Sequence, residues 1–212
     1  GPGAVSRADF GIPPEAPVIG CVARLVPIKG HTYLLAAMAQ VLRQFPEARL
    51  LLVGDGPCAA ELQAQARDLG IADRVIFAGL RRDVPDLLRL MDLFALASLN
   101  EGMGRVLVEA MICRLPVVAT RVSGIPDVVE SGVTGLLVEP RAPEKMAEAI
   151  TALLGNRAAA RALGEAGFRK AVPGFGVEAM VARIEALYAR VLQEKGIALA
   201  PEPEPPRVGL PR

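Results

Sequence analysis

The sequence predicts an α/β domain built on a doubly wound, six-stranded parallel sheet with helices on both faces. Two observations carry this. Apolar runs of strand length alternate with amphipathic stretches of helical period from Val18 to about Glu194. Within that span, Met91 to Thr120 reads as strand, glycine-bearing loop, helix and strand, which is the βαβ unit of a parallel sheet. A third observation sets the scale: 52% of the 212 residues are apolar, enough for a substantial core in one domain.

The elements follow in order. Residues 1–17 mix Gly, Pro and charge without periodicity and read as an extended lead-in or interdomain linker. Val18–Ala23 is a strand, and Arg24–Gly30 a loop interrupted by Pro27. His31–Gln44 is a helix with Leu34, Leu35, Met38, Val41 and Leu42 on one face. Ala48–Val53 is the next strand. In the Gly54-Asp55-Gly56-Pro57 turn, Asp55 reads as a turn former, and Pro57 opens a helix running to about Leu69. Val75–Ala78 is a strand, and Gly79-Leu80-Arg81 leads to a short helix, Val84–Met91. Leu93–Ala97 is the fourth strand, Arg105–Cys113 a helix and Pro116–Ala119 the fifth strand. Ser123-Gly124-Ile125-Pro126-Asp127 turns into a short helix, and Gly132–Val138 forms a turn and the last strand. Pro143–Leu154, Asn156–Lys170 and Phe175–Leu192 complete the helices of a domain spanning 18–195. The tail, 196–212, is proline-rich and polar, with a disordered or polyproline II character. No internal repeat is present.

Composition narrows the function. A net charge of +1, 4% aromatic residues and no basic stripe argue against nucleic acid as a partner. The longest apolar runs fall far short of a membrane span, the chain opens without a secretory apolar region, and no membrane association is visible. Cys21, Cys58 and Cys113 lack C-x-x-C spacing and histidine neighbours, which argues against a disulfide framework or zinc site and for a reducing cytoplasm. His31 is the sole histidine, so a multi-histidine metal site is excluded. Its place after Lys29-Gly30 at a helix start allows a local capping or a ligand-facing role, and the structural one is the expectation. No metal or cofactor is expected.

The chemistry concentrates in the loop of the central unit, Asn100-Glu101-Gly102-Met103-Gly104. Gly102 and Gly104 allow close backbone approach and positive φ. The N–H groups of the following helical turn, aided by the helix dipole, make an anion site. Glu101 stands just before that helix and Glu109 about two turns into it. A ligand with both phosphate and hydroxyls suits this combination, because ionised carboxylates accept strong hydrogen bonds from a diol. A nucleotide sugar is such a ligand. Spacing alone leaves plainer readings open: Glu109 could pair with Arg105 four residues earlier, and Glu101 could be a loop acid favoured by the dipole. Arg24 and Lys29 bracket the first strand-to-helix loop, which opens at the same sheet edge; as loop cations alone they would be unremarkable.

The string from Glu101 through Met111 resembles the Glu-x7-Glu motif of the family 4 retaining glycosyltransferases, and the likeness continues through Pro116–Thr120 and Gly135–Val138. It covers about Val18 to Glu194 and corresponds to the C-terminal, donor-binding half of a two-domain GT-B enzyme. The resemblance implies a nucleoside diphosphate sugar (UDP, GDP or ADP) as partner, and an acceptor domain that this chain lacks. It implies transfer with retention and generally without metal. It makes Arg24, Lys29 and Glu101 the catalytic candidates, the two cations holding the diphosphate and helping it leave while Glu101 holds hexose hydroxyls. Gly102, Met103 and Gly104 would donate backbone hydrogen bonds to phosphate and sugar, and Val106 joins them as a nucleotide-binding candidate. Glu109 would hold the ribose and Leu80 would lie against the base. The sequence departs from the family where Ser123 replaces one of two glycines and where Arg114-Leu115 replaces a small residue and glycine. A GT-B epimerase and a non-catalytic nucleotide-sugar scaffold are the rival readings.

Overall fold

A computed structural model of the chain describes residues 5–195. The strands are β1 (Val18–Val22), β2 (Arg49–Val53), β3 (Val75–Phe77), β4 (Leu93–Leu96), β5 (Val117–Thr120) and β6 (Leu136–Val138). All pair in parallel in the order β3-β2-β1-β4-β5-β6. This is the doubly wound order expected. The four inner strands are buried almost throughout, while the edge strands β3 and β6 are half-exposed. That contrast explains why the inner runs are almost wholly apolar, interrupted only by Gly20 in β1, Arg49 at the start of β2 and Thr120 at the end of β5: both faces of each are covered.

The helices are α1 (His31–Val41), α2 (Ala59–Asp68), α3 (Val84–Leu88), α4 (Arg105–Ile112), α5 (Ile125–Val128), α6 (Pro143–Gly155), α7 (Arg157–Gly174) and α8 (Val177–Glu194). Helix α1 packs on α2 and on α6, and α6 also covers β4, β5 and β6; α4 packs on β4 and β5. Leu34, Leu35, Met38 and Val41 of α1 are buried as their period required. Among the described residues no helix is long and apolar enough to cross a membrane.

The lead-in is more structured than an extended segment. Arg7–Phe10 forms a 3-10 turn, with Asp9 accepting from the Ser6 amide at 2.8 Å and the Ser6 hydroxyl at 3.0 Å. Arg7 then fastens the turn to the domain: its guanidinium donates to the carbonyls of Leu90, Pro14 and Ala16 and pairs with Asp92 at 2.9 Å. At the other end α7 runs past Lys170 to Gly174, through Pro173. Pro173 has no N–H for the i−4 carbonyl and its ring crowds it, and the helix ends one residue later. The chain divides into two compact units, Gly1–Val172 and Pro173–Arg212, so the 18–195 span is split after Val172. The sheet and everything at its carboxyl edge belong to the first. In the second, α8 places Met180, Ile184, Leu187 and Tyr188 at helical spacing on one side. The proline-rich tail expected over 196–212 lies outside the described residues.

Candidate functional site

Strands β1 and β4 are neighbours, but the chain leaves β1 toward β2 and leaves β4 toward β5. The loops that follow them therefore diverge and open a crevice, the place where sheets of this order hold ligands. These two loops carry Lys29 and Glu101. Their backbones are clipped together: the Leu99 amide donates to the Ile28 carbonyl at 2.8 Å. Gly30, at φ +65°, lies so close to Ala97 that a Cβ would stand 2.0 Å from its carbonyl oxygen. Only glycine fits both demands. Across this clip the Lys29 ammonium bonds to Oε2 of Glu101, with the two side chains 18% and 15% exposed.

Glu101 has further supports that sequence reasoning missed. The hydroxyl of Ser98, a buried residue two positions beyond β4, donates to the same Oε2 at 3.2 Å. The Ser98 carbonyl in turn accepts from the Thr120 hydroxyl at 2.5 Å. The loop after β5 grips the same segment: the Gly124 amide donates to the Glu101 carbonyl at 3.2 Å, and the Ser123 hydroxyl donates to Oδ1 of Asn100 at 2.6 Å. A Cβ on Gly124 would fall 1.8 Å from the Gly102 carbonyl oxygen. One signal for Ser98 was in the sequence. Ser98 stands three residues before Glu101 in a short loop, close enough in sequence for the hydroxyl and the carboxylate to meet.

Helix α4 begins at Gly104, φ 66°, with no side-chain cap, and α1 begins the same way at Gly30. Both helix starts that flank the switch point thus leave first-turn N–H groups to other acceptors, and an anion is the acceptor the dipole favours. The expectation of positive φ holds at Gly104 but not at Gly102, where a Cβ would also find open space. What the close approach of Gly124 uses is the Gly102 carbonyl. Met103 is exposed and Val106 half-buried. Glu109 is half-buried, and no salt bridge joins it to Arg105 among the described residues. The plain i,i+4 reading of that glutamate therefore has no ion pair behind it.

The remaining candidates lie on the same crest without touching the Lys29–Glu101 pair through any hydrogen bond or ion pair among the described residues. Arg24 is exposed just after β1. The next residue, Leu25, donates its amide to the Asp55 carbonyl at 2.9 Å, which joins the loops after β1 and β2. Asp55 itself caps its own turn, accepting from the Gly56 amide at 2.7 Å, as expected of a turn former. The Gly54 amide donates to the Gly79 carbonyl at 2.8 Å, extending the crest to the loop after β3, where Leu80 is 81% exposed.

His31 is buried beneath this crest, its Nε2 3.9 Å from Sγ of Cys21 and its Nδ1 without a hydrogen-bond partner. It does not cap α1. Burial, and then the charge of Lys29, lower its pKa to about 4, and burial pushes the Cys21 thiol up to about 12. Both groups are neutral at neutral pH, which suits a structural role.

The chain spans about half the length of the curated relatives it matches. It is 39% identical over 204 residues to the D-inositol 3-phosphate glycosyltransferase of Segniliparus rotundus, an alignment covering 93% of this chain and 45% of that protein. It superposes with a TM-score of 0.80 and 32% identity on Anabaena Alr3699/HepE in complex with UDP and glucose, covering 86% of this chain and 50% of that one. It also shares its fold with the C-terminal domain of a glycosyl transferase group 1 family protein from Francisella tularensis, at TM-score 0.73 and 24% identity, covering 80% of this chain and 91% of that domain. The family model described as glycosyl transferases group 1 matches residues 4–170, well over half of the sequence, and the chain belongs to that family.

Proposed function

We propose that this chain is the donor-binding part of a retaining glycosyltransferase, one that transfers a hexose from a UDP-, GDP- or ADP-sugar to an acceptor held by another part of the protein. The observation that carries the reading is the Lys29–Glu101 pair at the switch point, flanked by two uncapped helix starts. An ammonium beside open N–H groups is suited to a diphosphate, and a carboxylate next to it is suited to sugar hydroxyls. Lys29 and Arg24 then hold the diphosphate and stabilise it as it leaves, Gly102, Met103 and Gly104 add backbone donors, and Glu101 holds the hexose. Glu109 takes the ribose, Val106 lies along the nucleotide, and Leu80 offers an apolar surface to the base. The UDP and glucose bound in the Anabaena protein support this ligand class. Three free cysteines, one of them buried, support a reducing compartment such as the cytoplasm. Titration with UDP, GDP and ADP tests the reading: one of them should bind with modest affinity, and no heat or chemical-shift change at millimolar ligand for any of the three would overturn it.

A further inference from the structure

We infer that Ser98 and Thr120 form a two-residue positioning relay that holds the Glu101 carboxylate in place for the hexose once Lys29 has turned to the diphosphate. The inference rests on the donor-binding reading above. Its starting point is the way one carboxylate oxygen is used. Oε2 of Glu101 accepts from both Lys29 and Ser98, which leaves Oε1 as the acceptor with no protein partner among the described residues. Two donors on one oxygen fix the rotation of the carboxylate.

The two donors are not equivalent when a donor sugar arrives. A phosphate competes for the Lys29 ammonium, because charge-assisted bonds to phosphate match or exceed those to a carboxylate. The Ser98 hydroxyl is neutral and buried, so it has no such competitor. It remains on Oε2. Ser98 can serve only if its own backbone is held, since it lies two residues beyond β4 in an irregular loop. Thr120, also buried, supplies that hold from β5 by donating to the Ser98 carbonyl at 2.5 Å. Among the described residues no other donor serves that carbonyl. The relay thus runs from a rigid central strand through two hydroxyls to a loop carboxylate, which is how a loop residue acquires the precision of the sheet.

The test compares each nucleoside diphosphate with its sugar form, UDP with UDP-glucose, GDP with GDP-mannose and ADP with ADP-glucose, on the purified chain by calorimetry. Ser98→Ala and Thr120→Val should each lower affinity for the sugar form by about three- to tenfold relative to the bare diphosphate. Glu101→Gln should do the same, and adding Ser98→Ala to it should cost nothing further. Thr120→Ser keeps the hydroxyl and should restore the wild-type ratio, which separates the relay from simple loss of packing. Equal losses on both ligands, or an unchanged ratio in Ser98→Ala, would overturn the relay while leaving the donor reading intact. If the wild-type chain binds none of the six ligands, the donor reading itself fails and the relay falls with it.

Discussion

At the scale of single residues, the site sorts charges by what each can exchange. Lys29 is engaged with Glu101, whereas Glu109 has no ionic partner among the described residues. Replacing them should have different signatures. In the proposed arrangement Glu109→Gln removes the charge from the carboxylate assigned to the ribose, and it should weaken nucleotide and nucleoside alike, on the order of 1–2 kcal/mol. Lys29→Ala should weaken nucleoside diphosphate far more than nucleoside; equal losses on both ligands would remove the lysine from the phosphate site. His31 makes a separate prediction about pH. Its folded pKa of about 4 lies below the ordinary value of 6.5, so between those limits the unfolded chain binds the proton and the folded one does not. Stability is then fully present above pH 6.5 and falls as pH drops toward 4, by up to about 3 kcal/mol if the shift is fully expressed. Urea unfolding of wild type and His31→Gln across this range measures it: the variant should lose that step in its profile, and parallel profiles would rule it out.

At the scale of elements, what was legible in the sequence depended on how local the cause was. Strands and long helices were readable because burial on one or both sides writes a continuous or periodic apolar pattern, and the ends of α1, α2 and α4 fell within a few residues of the expectation. The loops of Lys29 and Glu101 stood out as ligand-loop candidates through the family resemblance of the Glu-x7-Glu string, since glycine and charge next to strand ends left plainer readings open. The Ser98–Thr120 bond was not legible, because it joins the loop after β4 to β5, 22 residues on, through atoms that any buried Ser or Thr could use otherwise. The turn after α4 shows the same limit. Arg114 N–H donates to Met111 O at 2.9 Å and Leu115 N–H to Ala110 O at 3.1 Å, the paired bonds of a helix end that requires a left-handed residue. The residue in that place is Arg114, φ 58°, where glycine is usual. The sequence marks the departure, but its compensation lies elsewhere: Glu165 pairs with the guanidinium at 3.0 Å, Phe168 stacks beneath it at 3.7 Å, and Gly164 makes room for the Arg114 carbonyl. Arg114→Gly and Arg114→Ala lose the same side-chain contacts, yet only alanine keeps the left-handed strain. The glycine variant should therefore be the more stable of the two, by about 0.5–1 kcal/mol after its greater unfolded entropy is counted. Chemical denaturation decides it, and an alanine variant at least as stable would show that the turn carries no such strain.

At the scale of the whole molecule, the carboxyl edge behaves as one assembly. The loop after β4 is clipped by the loop after β1 on one side and by the loop after β5 on the other, while the loop after β2 is joined to the loop after β1 and the loop after β3 to the loop after β2. Such an edge has its loop backbones tied to one another, and holding the donor is the part of the reaction that this chain is proposed to supply. Transfer asks for more: the acceptor must sit in near-attack geometry against the anomeric carbon, and water must be kept out, since it would otherwise take the sugar itself. Positioning of that kind can account for roughly 7–11 kcal/mol of a barrier. With the chain spanning about half of its curated relatives, those contributions are expected from outside it. The purified 212-residue polypeptide should therefore bind nucleoside diphosphate sugar and hydrolyse it slowly at most, without useful transfer to any acceptor. A coupled assay for released diphosphate, run beside detection of the glycosylated product, separates the two outcomes. Product formation well above hydrolysis would place the acceptor site on this chain, and would send the search for it to the surfaces around the crevice between β1 and β4.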